Sequence, residues 1–215
     1  METFHKRLTT SLLLFFLIYL IFIYKPVLIF CLLILGILSN IEFFHIIKKI
    51  TKLKILQFLF NLTFILYVFV FCLLFYILTN LFLFKTILFA LLICCSASDI
   101  GGYIFGKIFK GPKLTKISPN KTISGAIGSV IFSILALTTL MFFLTKNINI
   151  NIFLTAIITS ISCQVGDLFF SHLKRKAKVK DTGNFFPGHG GVLDRLDSIF
   201  FGVPVGFVFL ILFFK

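Results

Sequence analysis

The chain is 215 residues long, 59% of them hydrophobic and only 13% charged, and it carries a formal net charge of +14. Soluble domains run at about 45–50% apolar and about 25% charged. That excludes a soluble globular domain, a disordered tail and a fibrous chain, and it leaves no exposed basic domain of the kind a soluble nucleic-acid binder needs.

In chain order the sequence reads as seven apolar segments, at 8–24, 27–44, 55–78, 81–97, 123–144, 148–165 and 199–214. A membrane helix takes about 20 apolar residues, so the expected fold is all-α: a polytopic integral membrane helix bundle of about seven transmembrane helices. The start, Lys6-Arg7 and then an apolar run from Leu8, has the look of a signal peptide, but no small-x-small cleavage site follows and it reads as a retained first helix. Lys25-Pro26 then make a tight link to the second segment. Two regions follow from this division, 1–95 as N-terminal transmembrane helices and 96–215 as a catalytic transmembrane region with cytoplasmic loops 98–122 and 166–198. The five cysteines, Cys31, Cys72, Cys94, Cys95 and Cys163, lie in or beside apolar segments without metal-ligand spacing and read as small buried hydrophobes.

With the N-terminus inside, seventeen basic residues fall on the inner face and three on the outer (Lys25, Lys146 and Lys215), while Lys85 lies within a segment. Such a split follows the positive-inside rule, puts both long polar loops on the cytoplasmic face, and points to anionic lipids and a phosphorylated substrate as partners. Glu2 and Glu42 read as isolated. The other five acidic residues, Asp99, Asp167, Asp181, Asp194 and Asp197, sit in or at the borders of the two long loops, as do ten of the fourteen glycines. A carboxylate at the edge of the hydrocarbon is costly unless paired or bound to metal.

Three constellations carry the chemistry. The first runs from Ser96 through Asp99, Gly101-Gly102 and Gly106-Lys107 to Ser118, Lys121, Thr122 and Ser124. Its glycines permit a close backbone approach to a cation beside Asp99, and its hydroxyls and Lys121 stand just before a helix, where free N–H groups favour phosphate; an ordinary interfacial loop explains the stretch equally well. It is not a phosphate-binding loop of the Walker type, because Ile108 stands where Ser or Thr is needed. The second is Gln164-Val-Gly-Asp167 followed by Ser171-His-Leu-Lys174-Arg175, in which Asp167 and Ser171, four apart, share a helix face. The third is Lys180-Asp181-Thr-Gly183 and Pro187-Gly-His189-Gly190-Gly191, then Asp194-Arg195-Leu-Asp197. Asp194 and Asp197 are spaced to point the same way at a helix start, and with Asp167 they make an oxygen-rich set suited to Mg²⁺. His189 is a candidate ligand, phosphate partner or base, although a lone histidine is more often structural. Aspartates, many bases and Gly-rich loops suit phosphoryl or nucleotidyl transfer on a phosphorylated lipid or isoprenoid.

The stretch Ser171–Asp197 resembles the signature of the phosphatidate cytidylyltransferase (CDP-diacylglycerol synthase) family, through Ser171, Lys174-Arg175, Lys180-Asp181, Gly183, Pro187 to Gly191, Asp194-Arg195 and Asp197. Ser98-Asp99, Tyr103, Gly106, Ser118-Pro, Lys121-Thr122, Gly125 and Gln164 to Asp167 are similar to it as well, whereas Asn120 and Ile100-Gly101-Gly102 depart from the usual pattern. The resemblance implies that CTP and phosphatidate give CDP-diacylglycerol and pyrophosphate, with Mg²⁺ and K⁺ as its companion, in a homodimer of a bacterial inner membrane with the active site facing the cytoplasm. It implies Asp167, Asp194, Lys174, Lys180 and Arg195 as catalytic residues. Ser118, Lys121, Thr122, Arg175, His189 and Gly190 would bind substrate, and Asp167, Asp194, Asp197 and Asp181 are the metal candidates. The rival readings are a CTP-dependent kinase of a polyprenol or other lipid alcohol and a non-enzymatic transporter or scaffold.

Overall fold

A computed structural model describes residues 16–115, 118, 121–147, 149–183, 185 and 190–213. Among these residues there are isolated bridge positions but no strand, and seven helices: α1 (16–23), α2 (Lys25–Ile50), α3 (Lys54–Leu78), α4 (Phe82–Phe109), α5 (Ile123–Thr145), α6 (Ile150–Lys176) and α7 (Leu193–Phe213). Helices α2 to α7 are each long and apolar enough to cross a membrane. Phe58, Phe69 and Leu83 are among the many large apolar side chains left exposed, an arrangement that belongs in lipid and not in water. The protein is an all-α, polytopic integral membrane protein. The predicted first segment, 8–24, falls partly outside the described residues.

The chain divides into two compact units, one of residues 1–80 with 173–196 and one of 81–172 with 197–215. In the first, α2 and α3 form an antiparallel pair joined by residues 51–53. Pro26 lies in the first turn of α2, where its missing N–H leaves no bond unmade. Phe43 stacks on Phe64 with ring centroids 3.9 Å apart, the Cys72 thiol contacts the Leu32 carbonyl at 3.7 Å, and at the far end Lys25 donates to Asn80 Oδ1 and lies over the Tyr76 ring.

In the second unit, α4 and α5 approach through small residues. A Cβ added at Gly101 would lie 2.5 Å from the Gly128 carbonyl oxygen, and one at Gly102 would lie 2.6 Å from Ser129 Oγ. Small residues let helix backbones come this close, which is how membrane helices gain packing where no hydrophobic drive holds them together. On α6 and α7 the same device recurs: a Cβ at Gly166 would meet the Asp197 carbonyl oxygen at 2.5 Å, and one at Gly202 would meet Cys95 Sγ at 2.8 Å. All five cysteines are free thiols, three of them buried.

The helices α4, α6 and α7 outrun the predicted segments into stretches where glycine or charge was read as loop. Helix α4 continues to Phe109, so Asp99, Gly101, Gly102, Gly106 and Lys107 are helical. Helix α6 continues to Lys176 and α7 begins at Leu193, so of the expected loops 98–122 and 166–198 only 110–122 and 177–192 remain between helices. A glycine inside a helix forfeits about 1 kcal/mol relative to alanine; here the close contacts it permits with a neighbouring helix offset that loss. The close backbone approach expected at Gly101-Gly102 is therefore made to α5.

Candidate active site

In the second unit the site residues gather around Asp167. Lys121 forms an ion pair with Asp167 Oδ2, and Ser171 Oγ, one turn along α6, donates to Asp167 Oδ1 at 3.2 Å. The Lys121 and Asp167 side chains are 25% and 33% exposed, so water reaches both. Lys121 is set by a turn in which its N–H donates to the Ser118 carbonyl at 3.0 Å and its own carbonyl accepts from Leu114 N at 2.8 Å. Thr122 follows as the N-cap of α5, its Oγ1 accepting from Gly125 N at 3.1 Å, a favoured capping geometry. Ser118, Lys121 and Thr122 thus share one turn at the start of α5. Also in this unit, Ser198 Oγ donates to Asp99 Oδ2 at 3.0 Å, and Asp197, 8% exposed, accepts from Ser198 N at 2.9 Å.

In the first unit the centre is Asp194, at the start of α7. Its Oδ1 accepts from Lys174 Nζ at 2.7 Å, and both side chains are about nine-tenths buried. Its Oδ2 faces Thr182 N at 2.8 Å, Thr182 Oγ1 at 3.1 Å and Gly191 N at 3.0 Å. Two backbone N–H groups thus hold one oxygen of Asp194 and the lysine holds the other, while the single hydroxyl proton of Thr182 is shared between Asp194 and a second acid. Gly190 has φ +83°, a conformation that favours glycine, and a Cβ there would lie 2.9 Å from Asp194 Oδ2. Arg175, Lys180, Asp181 and Arg195 are exposed. Arg175 reaches the Val179 carbonyl at 3.5 Å. His189, expected in the substrate set, lies outside the described residues.

A residue that the sequence reading set aside stands in this cluster. Glu42, on α2 and 8% exposed, accepts from Val192 N and Leu193 N at 2.9 Å each and also from Thr182 Oγ1. Its signal was available, since it is the one acidic residue inside the apolar segments as predicted, and a buried carboxylate in such a place requires partners.

Among the described residues no group of three or more His, Cys, Asp or Glu side chains is arranged to hold a metal ion. The two central aspartates differ as prospective ligands. Asp167 is partly exposed and meets two donors, which leaves acceptor sites for a hard cation. Asp194 is more deeply buried and more heavily engaged, with Lys174 on Oδ1 and two backbone N–H donors on Oδ2.

Comparison with known proteins agrees with this chemistry. Residues 2–213 match the model of the cytidylyltransferase family. A phosphatidate cytidylyltransferase of Staphylococcus haemolyticus (strain JCSC1435) is 47% identical over 116 residues, which is 53% of this chain and 45% of that protein. The Staphylococcus aureus (strain COL) protein of the same name is 44% identical over 116 residues, again 53% and 45% of the two chains. One from Staphylococcus epidermidis (strain ATCC 12228) is 44% identical over 129 residues, 59% and 49% of the two chains. The matched stretch thus spans about half the length of these relatives. With residues 2–213 matching the family model, the chain belongs to the cytidylyltransferase family.

Proposed function

We propose that the protein is a phosphatidate cytidylyltransferase, which joins CTP to phosphatidate to give CDP-diacylglycerol and pyrophosphate. Family membership and the name its relatives carry support the reading. The observation that carries it is the Lys174–Asp194 pair, buried among glycines within the stretch that resembles the family signature. A phosphate monoester is already ionised near neutral pH, so its oxygen attacks the α-phosphorus of CTP without a strong general base. The new P–O bond forms as the bond to the β-phosphate oxygen breaks, and pyrophosphate leaves. Lys121, Arg175, Lys180 and Arg195 hold phosphate oxygens, with Lys174 oriented toward them by Asp194; Ser118, Thr122, His189 and Gly190 line the substrate site. Fixed charges at the place where charge develops lower the barrier more than the same charges in water.

Mg²⁺, with K⁺ as companion, is the cofactor of this reading, with Asp167 its ligand in preference to Asp194, and Asp181 and Asp197 as further candidates. When bound it offsets the charge that builds on the phosphate oxygens. The protein works as a homodimer in a bacterial inner membrane rich in anionic lipid, with these residues facing the cytoplasm. The test is the purified full chain with radiolabelled CTP, phosphatidate and Mg²⁺. A lipid-soluble cytidine product is expected; its absence, when a relative assayed in parallel makes it, overturns the reading.

A further inference from the structure

Glu42 belongs to no part of the family signature, yet it is built into the same unit as the buried ion pair. Its neighbours on α2, Phe43, Ile46 and Ile47, are buried, and its carboxylate reaches the first turn of α7 from another helix. The N–H groups at a helix start have no partner within the helix, and a negative charge there is favourable. Glu42 meets two of them, those of Val192 and Leu193, whose side chains are fully buried.

Two glycines of the signature make room for it. A Cβ at Gly183 would lie 2.6 Å from Glu42 Oε1, and one at Gly191 would lie at the same distance from that oxygen. The loop lacks side chains where the carboxylate enters. Thr182 lies between the two acids, its Oγ1 in contact with Glu42 Oε2 and 3.1 Å from Asp194 Oδ2. Glu42 therefore touches Thr182, whose own N–H donates to Asp194 Oδ2, and Val192, which follows directly on Gly191, the second backbone donor to that oxygen. Lys174 holds the other oxygen of Asp194.

We infer that Glu42 is a positioning residue for the nucleotidyl transfer, acting through Thr182 and the 190–193 turn to hold Asp194, and with it Lys174, in place. This rests on the reaction proposed above. A structural cap alone would affect folding, whereas a positioning residue affects turnover in protein that remains folded.

The test uses the full chain in detergent with Glu42→Gln, Gly183→Ala, their combination, and Gly36→Ala as a control on the same helix, where the nearest atoms to an added Cβ are 3.6 Å away. Glutamine replaces one acceptor with an N–H₂ group facing N–H donors. Gly183→Ala leaves Glu42 chemically intact and displaces it, so it carries the test if Glu42→Gln does not fold. Both are expected to lower kcat by about tenfold to a hundredfold, as small misplacements of reacting groups do, with KM for CTP within about threefold of wild type. The double variant should be no worse than the poorer single one, and hydrogen exchange across 182–193 should rise in all three. Wild-type kcat in Glu42→Gln overturns the inference, as does a loss of activity that only tracks the loss of folded protein. If the wild-type chain makes no cytidine lipid, the proposed reaction fails by itself. Exchange at 182–193 then still decides about Glu42, because unchanged protection in Glu42→Gln refutes the hold.

Discussion

Two lysine–aspartate pairs in this chain differ mainly in how much water reaches them. Lys121–Asp167 is a quarter to a third exposed, while Lys174–Asp194 is about a tenth exposed. Exposed pairs are worth about 0–1 kcal/mol; removing one partner of a buried pair costs about 3–5 kcal/mol, because the other charge is left without compensation. Lys121→Ala should therefore move Tm by no more than about 2–4 °C, and under the proposed reaction it should still lower turnover by at least about tenfold. Lys174→Ala should lose both stability and turnover. Thermal melts in detergent set beside the CTP assay separate the two cases; a Lys121→Ala protein with full activity would remove that lysine from the phosphate-holding set. Much of this chemistry was legible in the sequence: the four-residue spacing of Asp167 and Ser171 gave their contact, because helical periodicity is local. Glu42 was not placed, because its partners, Thr182, Val192 and Leu193, are distant in the chain and no local pattern reports a contact across that separation.

At the scale of elements, existence was easier to read than extent. The apolar runs gave all six long helices, while the ends of α4 and α6 were missed. Gly101, Gly102 and Gly106 look like punctuation when a helix is considered alone, where glycine exposes backbone and adds entropy to the unfolded chain. Against α5 they are the contact surface. The prediction here is a contrast between two glycines. Gly128→Ala puts a methyl 2.8 Å from the Gly101 carbonyl oxygen, whereas Gly36→Ala meets nothing closer than 3.6 Å. Overpacking typically costs about 1–3 kcal/mol, so Gly128→Ala should melt earlier than wild type and Gly36→Ala should not. Equal melting temperatures for the two variants would mean that the α4–α5 contact is not tight.

For the molecule in its membrane, the six long helices fix the order of crossings. Lys48, Lys49, Lys52 and Lys54 cluster at the link from α2 to α3. If that link is cytoplasmic, as proposed, the links 110–122 and 177–192 are cytoplasmic too, and Lys146 and Lys25 are outside. Single cysteines introduced at exposed Lys52, Lys110, Lys178 and Lys146 into a chain without its native cysteines test this in intact cells. An impermeant maleimide should label only the position at 146, and labelling of 110 and 178 from opposite sides would refute the arrangement. The partners that hold Glu42 also have a bearing on biosynthesis. They lie 150 and 151 residues further along the chain, and at about 5–20 residues per second the ribosome needs about 8–30 s to reach them. Throughout that interval the carboxyl lacks the partners it has in the finished fold, so the nascent α2 carries it either hydrated near headgroup depth or protonated until the last span is made.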